Sequence, residues 1–244
     1  MRLMLCALVL CAVGCSSADS TSNSADASPA PPVNPSLPSP TTSTQTSAAP
    51  VSSLINQDGS IDAGLPKTAG WGAKLPKDGD PIVILTTNEG RIVLKFFPQK
   101  APRHVKNFLD LAKKNFYDGT KFHRVIPGFM IQGGDPNTKL SDTSTWGQGG
   151  PGYTVKAEFN DIPHTPGILS MARTSDPDGA GSQFFIMHAR TPSLDGQYSV
   201  FGQVIEGMDV VNKIATTPTG ENNRPIKDMV LEKAEVTKWP IKLK

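Results

Sequence analysis

The chain has 244 residues, a formal net charge of +2, and 22 each of Gly and Pro. So even a charge balance gives no electrostatic case for nucleic acid or an anionic membrane surface as a partner. All three cysteines, Cys6, Cys11 and Cys15, fall within the first fifteen residues. The rest of the chain therefore has neither a disulfide nor a thiol nucleophile and must be held together by packing.

The N-terminus reads MRLMLCALVLCAVGC, one Arg followed by an apolar run from Leu3 to Val13. That run is too short to span a bilayer but suits the apolar part of a secretory signal. Small residues precede Cys15 and SSADSTSNS follows it, which resembles a bacterial lipoprotein signal; Ala12 stands where Leu is most usual. The resemblance implies a signal peptide over 1–15 ending at a lipidated Cys15. The protein would then be extracytoplasmic, lipid-anchored to a bacterial membrane on the periplasmic side or at the cell surface. Two or more acyl chains anchor stably, whereas one is marginal.

Residues 16–64 are rich in Ser, Thr, Pro and Ala, with Asp19 and Asp26 the only charges before Asp58. Such a composition buries too little apolar area to offset chain entropy, so a disordered tether is expected, with a reach of about 40 Å. A glycosylated stalk fits the same residues. The folded domain is expected over 65–244.

From Pro81, PIVILTTNEGRIVLKFF gives two β-branched runs joined at Asn88-Glu89-Gly90, a hairpin signature. In KAPRHVKNFLDLAKKNFYDG, Pro102 suits a first helical turn. Val105, Phe108, Leu109 and Ala112 fall on one face, and Gly119 follows the stop. Short strands are predicted at 121–126, 128–132, 154–158, 167–172, 183–188 and 199–205. A short helix over EGMDVVNKIA and a closing strand in KDMVLEKAEVTKW complete the pattern. Many short strands and two helices point to a closed β-barrel or sandwich with helical plugs.

Several motifs lead nowhere. GQGGPG at 147–152 satisfies a dinucleotide-binding spacing, but no apolar strand precedes it and Pro151 interrupts the helix start. NQDGSID lacks the end carboxylates of a calcium loop, because Leu54 and Leu65 occupy those places. His104, His123, His164 and His188 show no ligand spacing, so no metal is expected. Ser182 lacks a nucleophile elbow, which speaks against hydrolysis.

In KFHRVIPGFMIQGGD a guanidinium and an amide, Arg124 and Gln132, interrupt an apolar run. FHRVIPGFMIQGGD, GILSMARTSDPDGAGSQFFIMHA and LDGQYSVFGQVIEGMDVV resemble the cyclophilin family of peptidyl-prolyl cis/trans isomerases over residues 81–238. The resemblance implies a mainly β fold, a closed eight-stranded antiparallel β-barrel capped by two α-helices. It also implies rotation about X-Pro bonds in proline-containing polypeptides, with no cofactor and no metal. With the N-terminal signal, the expectation is an isomerase, taken as a monomer, that assists the folding of exported or envelope proteins.

Carried over by position, Arg124 matches the catalytic arginine, with Phe129 and Gln132 beside it. Met130, Phe185 and Leu194 match the apolar pocket for the proline ring, and Gln183 adjoins Gln132. Ala172 and Arg173 match the segment aligning the residue before proline. Tyr198 and Ser193 stand where many eukaryotic members have His and Trp. The missing indole implies weaker binding of cyclosporin-type macrocycles. On this reading Arg124 and Gln132 line the rim of a groove floored by Phe129, Met130 and Phe185. Glu158 is read as a structural charge. A groove that only holds Pro-containing segments, without catalysis, is the alternative that Ser193 and Tyr198 leave open.

Overall fold

The computed structural model describes residues 68–69 and 73–242; Cys15 and the segment 16–64 lie outside the described residues. A small hairpin pairs β1 (Thr68–Ala69) with β2 (Ala73–Lys74). Next, β3 (Pro81–Thr87) and β4 (Gly90–Phe96) form the expected hairpin, with Thr87 opposite Gly90 so that Asn88 and Glu89 make the turn.

Helix α1 (Pro102–Lys113) begins with Pro102 and buries Val105, Phe108, Leu111 and Ala112; Leu109 is only half-buried. Its stop comes earlier than Gly119, at Asn115, which takes a left-handed φ of 55°, a conformation Asn tolerates. The first turn lacks a local cap. Glu158 supplies one from a distant loop, accepting the Arg103 and His104 backbone N–H groups at 3.1 and 3.0 Å. This is why 154–158 is not the predicted strand. Only Val155 forms a bridge, to Ala180, while the Ala157 and Glu158 N–H groups donate to the Asp178 and Ser199 side chains.

The remaining elements are β5 (Thr120–Lys121), β6 (Arg124–Ile126), β7 (Met130–Gly133), β8 (Ile168–Met171), β9 (Phe184–Met187), β10 (Val200–Glu206), α2 (Met208–Ala215) and β11 (Val230–Lys238). Among the described residues, the main sheet is antiparallel and has nine strands, ordered β5-β11-β3-β4-β10-β8-β9-β7-β6. The expected single strand 121–126 is divided, which accounts for nine rather than eight. Thr120 and Lys121 pair with β11, and Phe122 N–H donates to the Met229 carbonyl at 2.9 Å. Arg124 already pairs with β7. The two edge strands are thus joined by Phe122 and His123 alone, which holds the edges within about 10 Å. A short run of covalent chain, rather than a hydrogen-bonded ladder, closes the curled sheet at this seam.

Alternation along the strands sorts the apolar residues into two populations. Val125, Ile131, Leu169, Phe184, Ile186 and Phe201 face inward and join the buried faces of α1 and α2 in one cluster. Phe108 is central there, its ring 4.8–5.7 Å from those of Phe96, Tyr117, Phe184 and Phe201. Met130, Phe185, Met187, Ile168 and Val200 face outward and make a second cluster with Phe129, Ala172 and Leu194. Both faces of β9 are therefore apolar, as its unbroken hydrophobic run requires, and β7 departs from that pattern at Gln132.

Candidate functional site

The outward cluster underlies the site. Register places Arg124 opposite Gln132, Gln132 opposite Phe185, Phe185 opposite Ser170, and Ser170 opposite Val200. One cross-strand row thus carries the guanidinium and the amide onto the edge of the apolar patch. Phe129, Met130, Phe185 and Leu194 are fully buried within it, and Ala172 nearly so. Tyr198 packs at its margin, with its ring 5.6 Å from Phe185 in an edge-on contact. Arg173 lays its guanidinium 4.8 Å from the Tyr198 ring centre and donates to the Gln197 and Thr174 carbonyls.

Arg124 is half-buried and donates from Nη1 to Gln132 Oε1 at 3.5 Å. Burial lowers its pKa and the nearby Tyr198 hydroxyl opposes that shift; a guanidinium remains charged at neutral pH. Burial likewise raises the Tyr198 pKa, and the Arg173 and Arg124 charges counter it. Gln132 departs from the expected rim position. It is 4% exposed, and its Nε2 donates to Gln183 Oε1 at 3.0 Å. It belongs to an internal chain of amides, because a buried amide must have its groups satisfied. Gln183 Nε2 continues that chain, donating to the Gly147 and Gly149 carbonyls at 2.9 Å each.

Beyond Gln183 opens a cleft of about 370 Å³, lined by the 147–154 loop, Ala172, Arg173 and Thr174. The GQGGPG sequence forms a wall of this cleft, and no helix opens within it. Ser182 lies in the same wall, its hydroxyl donating to the Gly134 carbonyl at 2.8 Å. All ten groove residues named from sequence converge here, either in the apolar cluster, in the amide chain or through Tyr198.

The sequence does not tie two further groups to this site. His164, fully buried, stacks 6.0 Å from the Phe185 ring, with Nε2 3.1 Å from Ser170 Oγ and Nδ1 3.2 Å from Asp195 Oδ1. Burial lowers its pKa against the opposing pull of Asp195. Asp135, also fully buried, binds the glycine loop from behind. No local signal ties either to the site, since Gly147, Asp195 and Phe185 reach them from farther along the chain. Among the described residues no three His, Cys, Asp or Glu side chains are grouped to hold a metal ion.

The family model for cyclophilin-type peptidyl-prolyl cis-trans isomerases matches residues 82–236. A peptidyl-prolyl cis-trans isomerase of Acinetobacter baylyi is 48% identical over 144 residues, covering 57% of this chain and 73% of the relative. The human peptidyl-prolyl cis-trans isomerase-like 1 is 42% identical over 170 residues, covering 66% and 97%. A Cryptosporidium parvum cyclophilin-type isomerase, crystallised in the presence of the dipeptide Ala-Pro, superposes with a TM-score of 0.59. It is 33% identical and covers 64% of this chain and 98% of its own.

Proposed function

The chain belongs to the cyclophilin-type peptidyl-prolyl cis-trans isomerase family, and from that premise we propose how its groove turns the X-Pro bond. Amide resonance sets a rotation barrier of about 18–20 kcal/mol. As the bond twists, resonance is lost and the prolyl nitrogen gains a localised lone pair. A donor aimed at that nitrogen stabilises the twisted state more than the planar one, which is differential binding. Arg124 is that donor. Phe129, Met130, Phe185 and Leu194 grip the proline ring. Gln132 orients the guanidinium and meets substrate backbone. Ala172 and Arg173 align the preceding residue beside the cleft. No bond to carbon breaks, so the reaction requires neither a nucleophile nor a metal.

The observation that carries this reading is the cross-strand row, which sets a half-buried guanidinium on a neutral amide at the edge of an apolar patch. The ligand class is a proline-containing polypeptide, with Ala-Pro sequences the natural first probes. The assay is cis/trans exchange on an Ala-Pro peptide. Exchange that survives Arg124→Ala at the wild-type rate would remove Arg124 from the mechanism. Binding without any catalysed exchange would favour a holding groove instead.

The anchoring reading rests on the sequence around Cys15. Lipidation there would tether the isomerase outside the cytoplasm, where exported chains fold. Metabolic labelling with a fatty-acid probe tests it: label retained in Cys15→Ser would exclude that residue as the acceptor.

A further inference from the structure

Asp135 is a buried carboxylate that the reaction described so far does not use. It lies one residue beyond the end of β7 and opens a short 3-10 turn, Pro136–Lys139, by accepting the Asn137 N–H at 2.7 Å on Oδ1. A turn of this kind does not require burial. Asp142 caps the next one in the same way, accepting the Ser144 N–H at 3.0 Å while exposed. Burying a carboxylate is costly unless its oxygens are fully used. The second oxygen of Asp135 reaches forward to accept the N–H of Gly147.

That contact fixes a loop that fits tightly against the carboxylate. A Cβ added at Gly149 would stand 2.1 Å from Asp135 Oδ1, so only glycine allows this approach. The loop in turn presents the carbonyls of Gly147 and Gly149 to one amide nitrogen, Gln183 Nε2. From there the hydrogen-bonding groups leave no choice of direction. Carbonyls only accept, so the Gln183 NH₂ faces the loop and its oxygen faces Gln132. That oxygen accepts from Gln132 Nε2 at 3.0 Å. Gln132 must then offer its own oxygen to Arg124, at 3.5 Å. Reversing either amide would set donor against donor or acceptor against acceptor.

We propose that Asp135 is a positioning residue for the isomerase reaction, holding Arg124 in its working orientation through the 147–149 loop, Gln183 and Gln132. The proposal rests on the reading of Arg124 as the donor to the prolyl nitrogen. It makes the glycine loop part of the catalytic apparatus as well as a wall of the cleft.

The test uses the full chain and a double-mutant cycle. Asp135→Asn replaces one acceptor oxygen by an NH₂ group. It is expected to lower kcat about tenfold with KM within twofold, and to shift the side-chain amide resonances of Gln183 and Gln132. In a Gln183→Ala background the same substitution is expected to change kcat less than twofold, because its path to Arg124 is already cut. Gly149→Ala presses on the same carboxylate from the loop side without removing its charge. It should lower kcat in wild type and not in Gln183→Ala, so the idea stays testable if Asp135→Asn does not fold. Unchanged kcat, or effects that multiply fully in the Gln183→Ala background, would overturn the proposal. Arg124→Ala separates the two readings. If it retains activity, the catalytic reading itself falls; if it loses activity while Asp135→Asn does not, only the relay falls.

Discussion

His123 sits at the seam between β5 and β6, 7% exposed, with neither ring nitrogen in a hydrogen bond of normal geometry. Burial pushes its pKa down to about 4; the Asp135 carboxylate and the Lys121 backbone oppose that shift, and the Arg124 charge adds to it. The unfolded chain takes up the same proton near pH 6.5. A lowered folded-state pKa means that stability is complete above about 6.5 and is lost as pH falls toward 4. Between pH 8 and pH 5 this one group should remove about 2 kcal/mol of unfolding free energy. His104 and His164, also lowered by burial, act with the same sign. The assay is chemical denaturation of wild type and His123→Leu across pH 5–8, where most carboxylates stay ionised. The variant should show a pH dependence shallower by about 2 kcal/mol over that range, whatever its absolute stability. Parallel curves would refute the reasoning, because His123 would then titrate alike in both states.

Glu158→Ala removes the cap of α1 and leaves the buried His104 ring, 2.8 Å away, without its carboxylate. The expected cost is about 2–4 kcal/mol, read as a lower Tm, with kcat/KM at low temperature within about threefold of wild type. Phe185→Ala should cost about 3–5 kcal/mol and also impair catalysis, since the ring belongs to the outer cluster and to the His164 and Tyr198 contacts. Calorimetry and peptide exchange on the same sample would separate the two effects. Ser193, exposed beside the buried Leu194, is expected to limit cyclosporin-type binding. Ser193→Trp should tighten it at least tenfold in a direct titration, and unchanged affinity would contradict the missing-indole argument.

Much of the architecture was legible because its signals are local. The β3–β4 hairpin follows from two β-branched runs and a polar turn, and α1 from Pro102 and its apolar face. The readings that changed depend on distant partners. The run 121–126 reads as one strand, yet its two ends pair with strands at opposite edges of the sheet, which no periodicity reveals. The segment 154–158 looks like a strand, but its backbone is engaged by Asp178 and Ser199 and its carboxylate by α1. The groove residues were found through long motifs; Arg124 or Phe129 alone would pass for a surface charge and a core ring. A residue matched to substrate contact implies a place on the rim, and the partner Gln183 explains why Gln132 is buried instead. Asp135 and His164 show the same limit. Each is an ordinary turn or strand-flanking residue until the chain brings Gly147 or Phe185 against it.

The central claim is that the guanidinium of residue 124 stabilises the twisted prolyl bond rather than merely binding the peptide. The direct measurement is NMR exchange on an Ala-Pro peptide with wild type and Arg124→Ala, with affinity read from the same titration. The account predicts binding within about fivefold of wild type and a loss of kcat/KM on the order of 10²–10³, the scale for removing one transition-state donor. Exchange as fast as wild type, or a loss explained wholly by weaker binding, would contradict it.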